Sequence, residues 1–149
     1  MKTLVAILFL PLLCFAVYYF SAEEILPIEN AKAVSFVTTK KFEGLDCIKN
    51  GNDYIVTVYS DFSNFYTTNK DFIKGFNLYF DENFNLDIYL KQLNAIVYKS
   101  CDIDSKEIYY GYTNIFNDFR FVDGKKINLQ IVKDEKEIVI GFPLILTGF

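Results

Sequence analysis

The chain of 149 residues is 52% hydrophobic and 18% aromatic, with a formal charge of −4, and that much apolar material excludes an intrinsically disordered protein. It contains sixteen Phe and eleven Tyr but no His and no Trp, so the commonest general base and metal ligand is absent. Nineteen acids outnumber fifteen basic residues, and no Lys/Arg run exceeds two; a phosphate backbone selects a basic face, so nucleic acid is disfavoured as a partner. The aromatic excess reads either as a binding surface or, more plainly, as a compositional bias towards Phe, Tyr, Ile, Asn and Lys.

Leu4 to Phe20 is seventeen residues without a charge, preceded by Lys2 and followed by Glu23-Glu24. At ~1.5 Å per residue, residues 3–22 reach ~30 Å as a helix, enough to cross the hydrocarbon core. A cleaved signal peptide competes with an uncleaved anchor. Cleavage after Ala22 puts Phe20 at −3, where a small residue is required, and cleavage after Ala16 leaves Tyr18-Tyr19-Phe20 on the mature end. The anchor reading is preferred: residues 1–22 are a transmembrane signal anchor, 23–30 a linker containing Pro27, and 31–149 one extracytoplasmic domain. Lys2 on one flank and acids on the other predict a cytoplasmic N-terminus and an external domain. The alternative is secretion after signal cleavage.

Residues 31–42 read as weakly helical through Ala33, Val34, Val37 and Lys41, against the β-branched Val37-Thr38-Thr39. Gly44 ends such a helix. Leu45–Lys49 and Asp53–Tyr59 flank Asn50-Gly51, a hairpin signal; neither face of the second run is polar throughout, which predicts a strand covered on both sides. Residues 60–70, rich in Ser, Asn, Thr and Asp, read as a loop. Phe72–Phe80 reads as a strand with Phe76, Leu78 and Phe80 on one face. Leu86, Tyr89, Leu90 and Leu93 recur at helical spacing, which predicts a helix capped by Asn85. Ala95–Ser100 and Glu107–Thr113 read as strands, and 114–118 as a loop.

The most legible stretch is Phe119–Leu146. Asp123-Gly124 between two β-rich runs predicts a tight hairpin. Ile127, Leu129 and Ile131 alternate with Lys126, Asn128 and Gln130, as in an antiparallel strand with one buried and one wet face. Pro143 ends regular pairing or sits at an edge. Strand, helix and further strands in this order predict an α+β fold: an antiparallel sheet of five or more strands with a short helix on one face. Leu86, Leu90 and Leu93 are expected against Ile127, Leu129, Ile131 or their neighbours.

The tail Gly111-Tyr112-Thr113, then Asp123-Gly124-Lys125-Lys126-Ile127-Asn128-Leu129-Gln130-Ile131, then Ile138-Val139-Ile140-Gly141-Phe142-Pro143-Leu144-Ile145-Leu146-Thr147 resembles the end of the YwmB family. Those are exported proteins of Gram-positive spore formers with a TATA-box-binding-protein-like fold. The resemblance covers mainly residues 71–149, and Phe142 stands where the family favours Thr. It implies a fold and an extracytoplasmic location; it implies no activity, because a fold name is no evidence of DNA binding.

Candidate chemistry is sparse. Asp81, Asn83, Asn85 and Asp87 have the odd spacing of a calcium loop, but its Gly and Glu positions hold Leu86 and Gln92, so a polar turn with a helix cap is the better reading. Cys47 and Cys101 can pair if they lie outside a reducing cytosol; two buried free thiols are the simpler account. Lys40-Lys41 and Lys125-Lys126 read as solvated faces, and Glu23, Glu24 and Glu29 as a soluble linker. Tyr109, Tyr110 and Tyr112 form either an aromatic platform for a sugar or peptide, or cross-strand packing. No cofactor motif, metal set or catalytic constellation is present. The expectation is a non-enzymatic binding module of the cell envelope, with the membrane through residues 3–22 and an envelope protein as partners. The rival is an enzyme acting on an envelope polymer through paired carboxylates.

Overall fold

The computed structural model describes residue 28 and residues 30–145. Ten strands and two short helices follow in order: β1 (Ala33–Thr38), β2 (Asp46–Asn50), β3 (Asp53–Val58), α1 (Phe62–Asn69), β4 (Ile73–Asp81), α2 (Leu86–Gln92), β5 (Ile96–Ile103), β6 (Lys106–Tyr112), β7 (Arg120–Val122), β8 (Lys125–Ile127), β9 (Leu129–Lys133) and β10 (Glu137–Phe142). A 3-10 turn, Lys70–Phe72, joins α1 to β4. Eight strands form one antiparallel sheet in the order β2-β3-β1-β4-β10-β9-β6-β5, and β7 and β8 pair apart from it. The fold is α+β.

The central pair is β4 and β10, in register from Glu137↔Asp81 to Phe142↔Phe76. Side chains alternate across a strand, so Phe76, Leu78 and Phe80 share a face with Ile138, Ile140 and Phe142. Val34 and Phe36 of β1 and Leu129 and Ile131 of β9 extend that face, and all are buried in one core cluster. Both helices pack onto it. From α1 come Phe62, Phe65 and Tyr66; from α2 come Leu86, Tyr89, Leu90 and Leu93. Phe65 lies 5.0 Å from Phe36, ring centroid to centroid, and Tyr66 meets Phe76 edge-on at 6.1 Å.

The expected helix at Leu86–Leu93 is present, with Asn85 Oδ1 accepting from the Ile88 N–H at 3.1 Å. Leu93 is buried, and Leu86 and Leu90 pack partly buried on the cluster containing Leu129 and Ile131. The Asn50-Gly51 hairpin forms between β2 and β3, with Gly51 at φ +61°. Other expectations are overturned. Residues 33–38 form a strand rather than a helix. All six are buried between β3 and β4, and a strand with no wet face carries no alternation to distinguish it. Residues 62–69, read as loop, are α1; their polar composition masks Phe62, Phe65 and Tyr66 at i, i+3 and i+4. Ile28, placed in a linker, is 4% exposed and belongs to the core. The strand expected to be covered on both sides, β3, buries only Val56 fully.

The long strand expected from Lys125 to Val132 is broken at Asn128. Ile127 ends the separate β7–β8 hairpin, and Leu129 begins β9 in the main sheet. Asn128 and Gln130, expected on a wet face, are buried instead. Asn128 Oδ1 accepts from the Thr113 N–H at 2.8 Å, and its Nδ2 donates to the carbonyls of Thr113 (2.8 Å) and Phe116 (3.2 Å). The carboxamide thus supplies the pairing that the broken ladder lacks. Thr113 Oγ1 donates to the Leu93 carbonyl at 2.6 Å, tying the end of β6 to the C-terminus of α2. Gln130 is covered by the chain after β10: its Oε1 accepts from the Ile145 N–H at 3.0 Å. Gly141 permits that return, since a Cβ there would stand 2.5 Å from Ile145 N.

Among the described residues no helix is long and apolar enough to cross a membrane. The expected anchor, residues 1–22, and Glu23, Glu24 and Glu29 lie outside the described residues.

Candidate functional site

Where α2 spans the second half of the sheet it leaves a cleft of about 530 Å³. Ile131 of β9 and Ile138 of β10 form its floor, with Val97 of β5 beside them. Leu86 and Leu90 of α2 overhang it, and Phe84 closes one end. Phe84 is held rigidly, stacked on Phe80 at 3.9 Å and edge-on to Tyr89 at 5.3 Å. The walls are apolar because these residues are the helix-facing half of each strand's alternation. The rim is polar: Glu82 and Asn85 come from the β4–α2 turn, Asp87 from the first turn of α2, Tyr109 from β6 and Lys133 from β9.

Tyr109 donates its hydroxyl to Glu107 Oε2 at 2.5 Å. That bond, helped by partial burial, pushes the phenol up to about 12, so it remains an O–H donor at neutral pH. Glu107 stands opposite Lys133 in the β6–β9 register. The cleft thus offers a floor for an apolar body, a neutral hydroxyl, an ammonium group and two exposed carboxylates. No Ser, Thr or Cys lines it, so it holds no candidate nucleophile of those kinds. Tyr89, behind Phe84, has its phenol pushed upwards by burial and serves as core.

The residues singled out by sequence are scattered by the fold. Cys47 lies on β2 and Cys101 on β5, the two outermost strands of the eight, and both are free thiols. Seven strand spacings of ~4.8 Å put them ~30 Å apart along the sheet, far beyond the ~7 Å Cα separation a disulfide spans. The disulfide is therefore not formed within the chain. The tyrosine platform also divides: Tyr109 faces the cleft, whereas Tyr110, paired with Gln130, and Tyr112 face the opposite side of the sheet. Asp81, from the calcium-like spacing, bonds Lys32 at 3.5 Å, and Asn85 caps α2. Burial opposes the charge on Lys32, but its pairings with Glu137 and Asp81 outweigh that and raise its pKa. Lys41 pairs with Glu43, while Lys40 lies over the rings of Phe42 and Phe72.

Sequence reasoning missed Val97, Lys133 and Ile138 as one site. Lys133 and Ile138 come from the consecutive strands β9 and β10, but Val97 comes from β5, more than thirty residues earlier, and no local spacing marks their convergence. Among the described residues, no three His, Cys, Asp or Glu side chains gather as a metal site. No family model, curated protein or solved structure matches the chain.

Proposed function

We propose that this chain is a non-enzymatic binding module of the cell envelope, held at the membrane through residues 3–22 with its N-terminus in the cytoplasm and its domain outside. The observation that carries the binding role is the cleft under α2. Its size suits a small ligand or a short segment of a larger one, and its apolar floor with a few convergent polar groups is the common composition of a binding site. Ile131, Ile138 and Leu90 take the apolar part of the ligand; Lys133 binds its acceptors or anionic group, and Glu82, Asp87 and the Tyr109 oxygen, whose proton goes to Glu107, accept from its donors. The seventeen-residue apolar run supports the membrane placement. Kinship with the YwmB family, through Gly111-Tyr112-Thr113 and the tail, is part of the same proposal.

A photoreactive side chain in place of Val97, in cells producing the whole chain, should capture an envelope component. The same group at Asn52, in the β2–β3 turn, should not. Leu90→Trp, which fills the cleft, should reduce capture at least fivefold. Equal capture from positions 97 and 52 would defeat the cleft assignment. Protease added to intact protoplasts should remove the domain; survival until lysis would reverse the topology.

A second reading is hydrolysis of an envelope polymer, favoured by the presence of Glu82 and Asp87 in one cleft. Both carboxylates are exposed, whereas a carboxyl acting as general acid is kept protonated by an apolar surround. Cleavage of envelope polymer by the purified protein, abolished by Glu82→Gln or Asp87→Asn, would establish this reading over the first.

A further inference from the structure

The β7–β8 hairpin stands apart from the main sheet and carries a surface unlike the rest of the domain. Phe119, Phe121 and Val122 are 39%, 67% and 42% exposed. Arg120, Lys125 and Lys126 are exposed beside them. The register pairs Phe121 with Lys126 and Val122 with Lys125, so Phe121 and Lys126 share one face. On that face the Phe119 and Phe121 rings meet edge-on at 5.4 Å, and Lys126 Nζ sits 4.4 Å from the Phe119 ring centroid. Asp123-Gly124 closes the turn, with both residues at positive φ.

The other side of the hairpin is committed to the fold. Ile127 is 3% exposed, and Lys125 Nζ lies 5.1 Å from the Tyr98 ring. Asp118, just upstream, lines a recess beside Lys74 and Phe116 in the body of the domain. The projecting face therefore has two aromatic side chains that gain nothing from the core with Lys126 between them, and Arg120 stands exposed next to them, in a chain of net charge −4. It is a protrusion, not a groove. A projecting aromatic pair suits a deformable surface, where rings enter the headgroup region and cations meet lipid phosphates.

We propose that the β7–β8 hairpin docks the domain onto an anionic lipid surface, with Phe119 and Phe121 at the headgroup level and Lys126, joined by the long exposed side chain of Arg120, against the phosphates. The docking rests on the membrane placement proposed above and adds to it an orientation: the hairpin face of the domain lies down on the bilayer that holds the chain. Each cation near an anionic leaflet favours the surface about fivefold. Two such cations opposed by Asp123 leave a preference of about fivefold for anionic over neutral lipid. The preference should fall as salt screens exposed charge.

The test uses the full chain reconstituted in lipid nanodiscs of phosphatidylcholine alone or with one part in three phosphatidylglycerol. Trypsin cleavage after Arg120, Lys125 and Lys126 is followed by mass spectrometry, with cleavage after Lys40 and Lys49 as internal reference. The expected result is at least threefold slower hairpin cleavage on the anionic discs, unchanged reference sites, and loss of protection at 0.5 M salt. The Phe119→Ser/Phe121→Ser double variant alters only exposed rings; it should remain on the discs and lose the protection. Equal hairpin cleavage on both discs, with the chain still disc-bound, overturns the docking and leaves the anchor intact. A chain that fails to associate with either disc overturns the membrane placement itself. Protection produced by added polyglutamate and not by anionic lipid assigns the hairpin to an acidic polypeptide and overturns the lipid assignment.

Discussion

Replacing Asn128 by Ala should be among the most damaging single changes in the domain. The side chain is fully buried and makes three hydrogen bonds to Thr113 and Phe116. Truncation leaves the Thr113 N–H and C=O without their partner. Each unsatisfied buried group costs ~1–3 kcal/mol; the Phe116 carbonyl is only partly buried and can rehydrate. Two orphaned groups give about 4 kcal/mol, a large fraction of the ~5–15 kcal/mol that holds a domain folded. With a urea m-value of ~2 kcal/mol/M, the midpoint should fall by ~2 M. The measurement is urea unfolding of the whole chain in mild detergent, followed by far-UV circular dichroism, with m compared between variants. Asn128→Asp should lose at least as much at neutral pH, because a carboxylate accepts from the Thr113 N–H but turns a lone pair on its carbonyl. Acid should partly relieve that loss, since a protonated Asp can donate. A loss below ~1 kcal/mol for Asn128→Ala, at unchanged m, would refute the idea that this carboxamide replaces a missing section of ladder.

Gly141→Ala should destabilise the domain by ~1–3 kcal/mol, as overpacking does, because the new methyl meets Ile145 N at 2.5 Å; an unchanged melting temperature would show that the segment after Pro143 gives way freely. The Lys136 and Glu137 N–H groups donate to Asp134 and hold its carboxyl below the ordinary 3.8. A depressed carboxyl stabilises above its unfolded value and loses that contribution as pH falls through the folded one. Asp134→Ala should therefore lower the melting temperature at pH 7, with the difference closing as the pH falls below 3.8; a pH-independent difference would contradict this. Cys47 and Cys101 should both alkylate as free thiols without reductant, read by mass mapping, and recovery of a linked Cys47–Cys101 peptide would refute the strand order.

Local chemistry is what the sequence by itself determined. Asn50-Gly51 and Asp123-Gly124 form tight turns because each places a glycine at positive φ, a requirement met within four residues. Asn85 caps α2, and Leu86, Tyr89, Leu90 and Leu93 mark its inner face, because period and cap act within one helical turn. The α+β class followed from those elements in order. Tertiary pairing decided the rest. Residues 33–38 are a strand because β3 and β4 close on both of their edges, and a segment buried on both faces shows no period of its own. Asn128 interrupts an otherwise unbroken alternation because Thr113, fifteen residues away, offers its amide a better set of partners than a sheet neighbour would. Cys47 and Cys101 are separated by the strand order, which no cysteine spacing encodes. The cleft exists only because β5, β6, β9 and β10 bring Val97, Tyr109, Lys133 and Ile138 beneath α2; each is an ordinary strand residue, and their convergence is a property of topology.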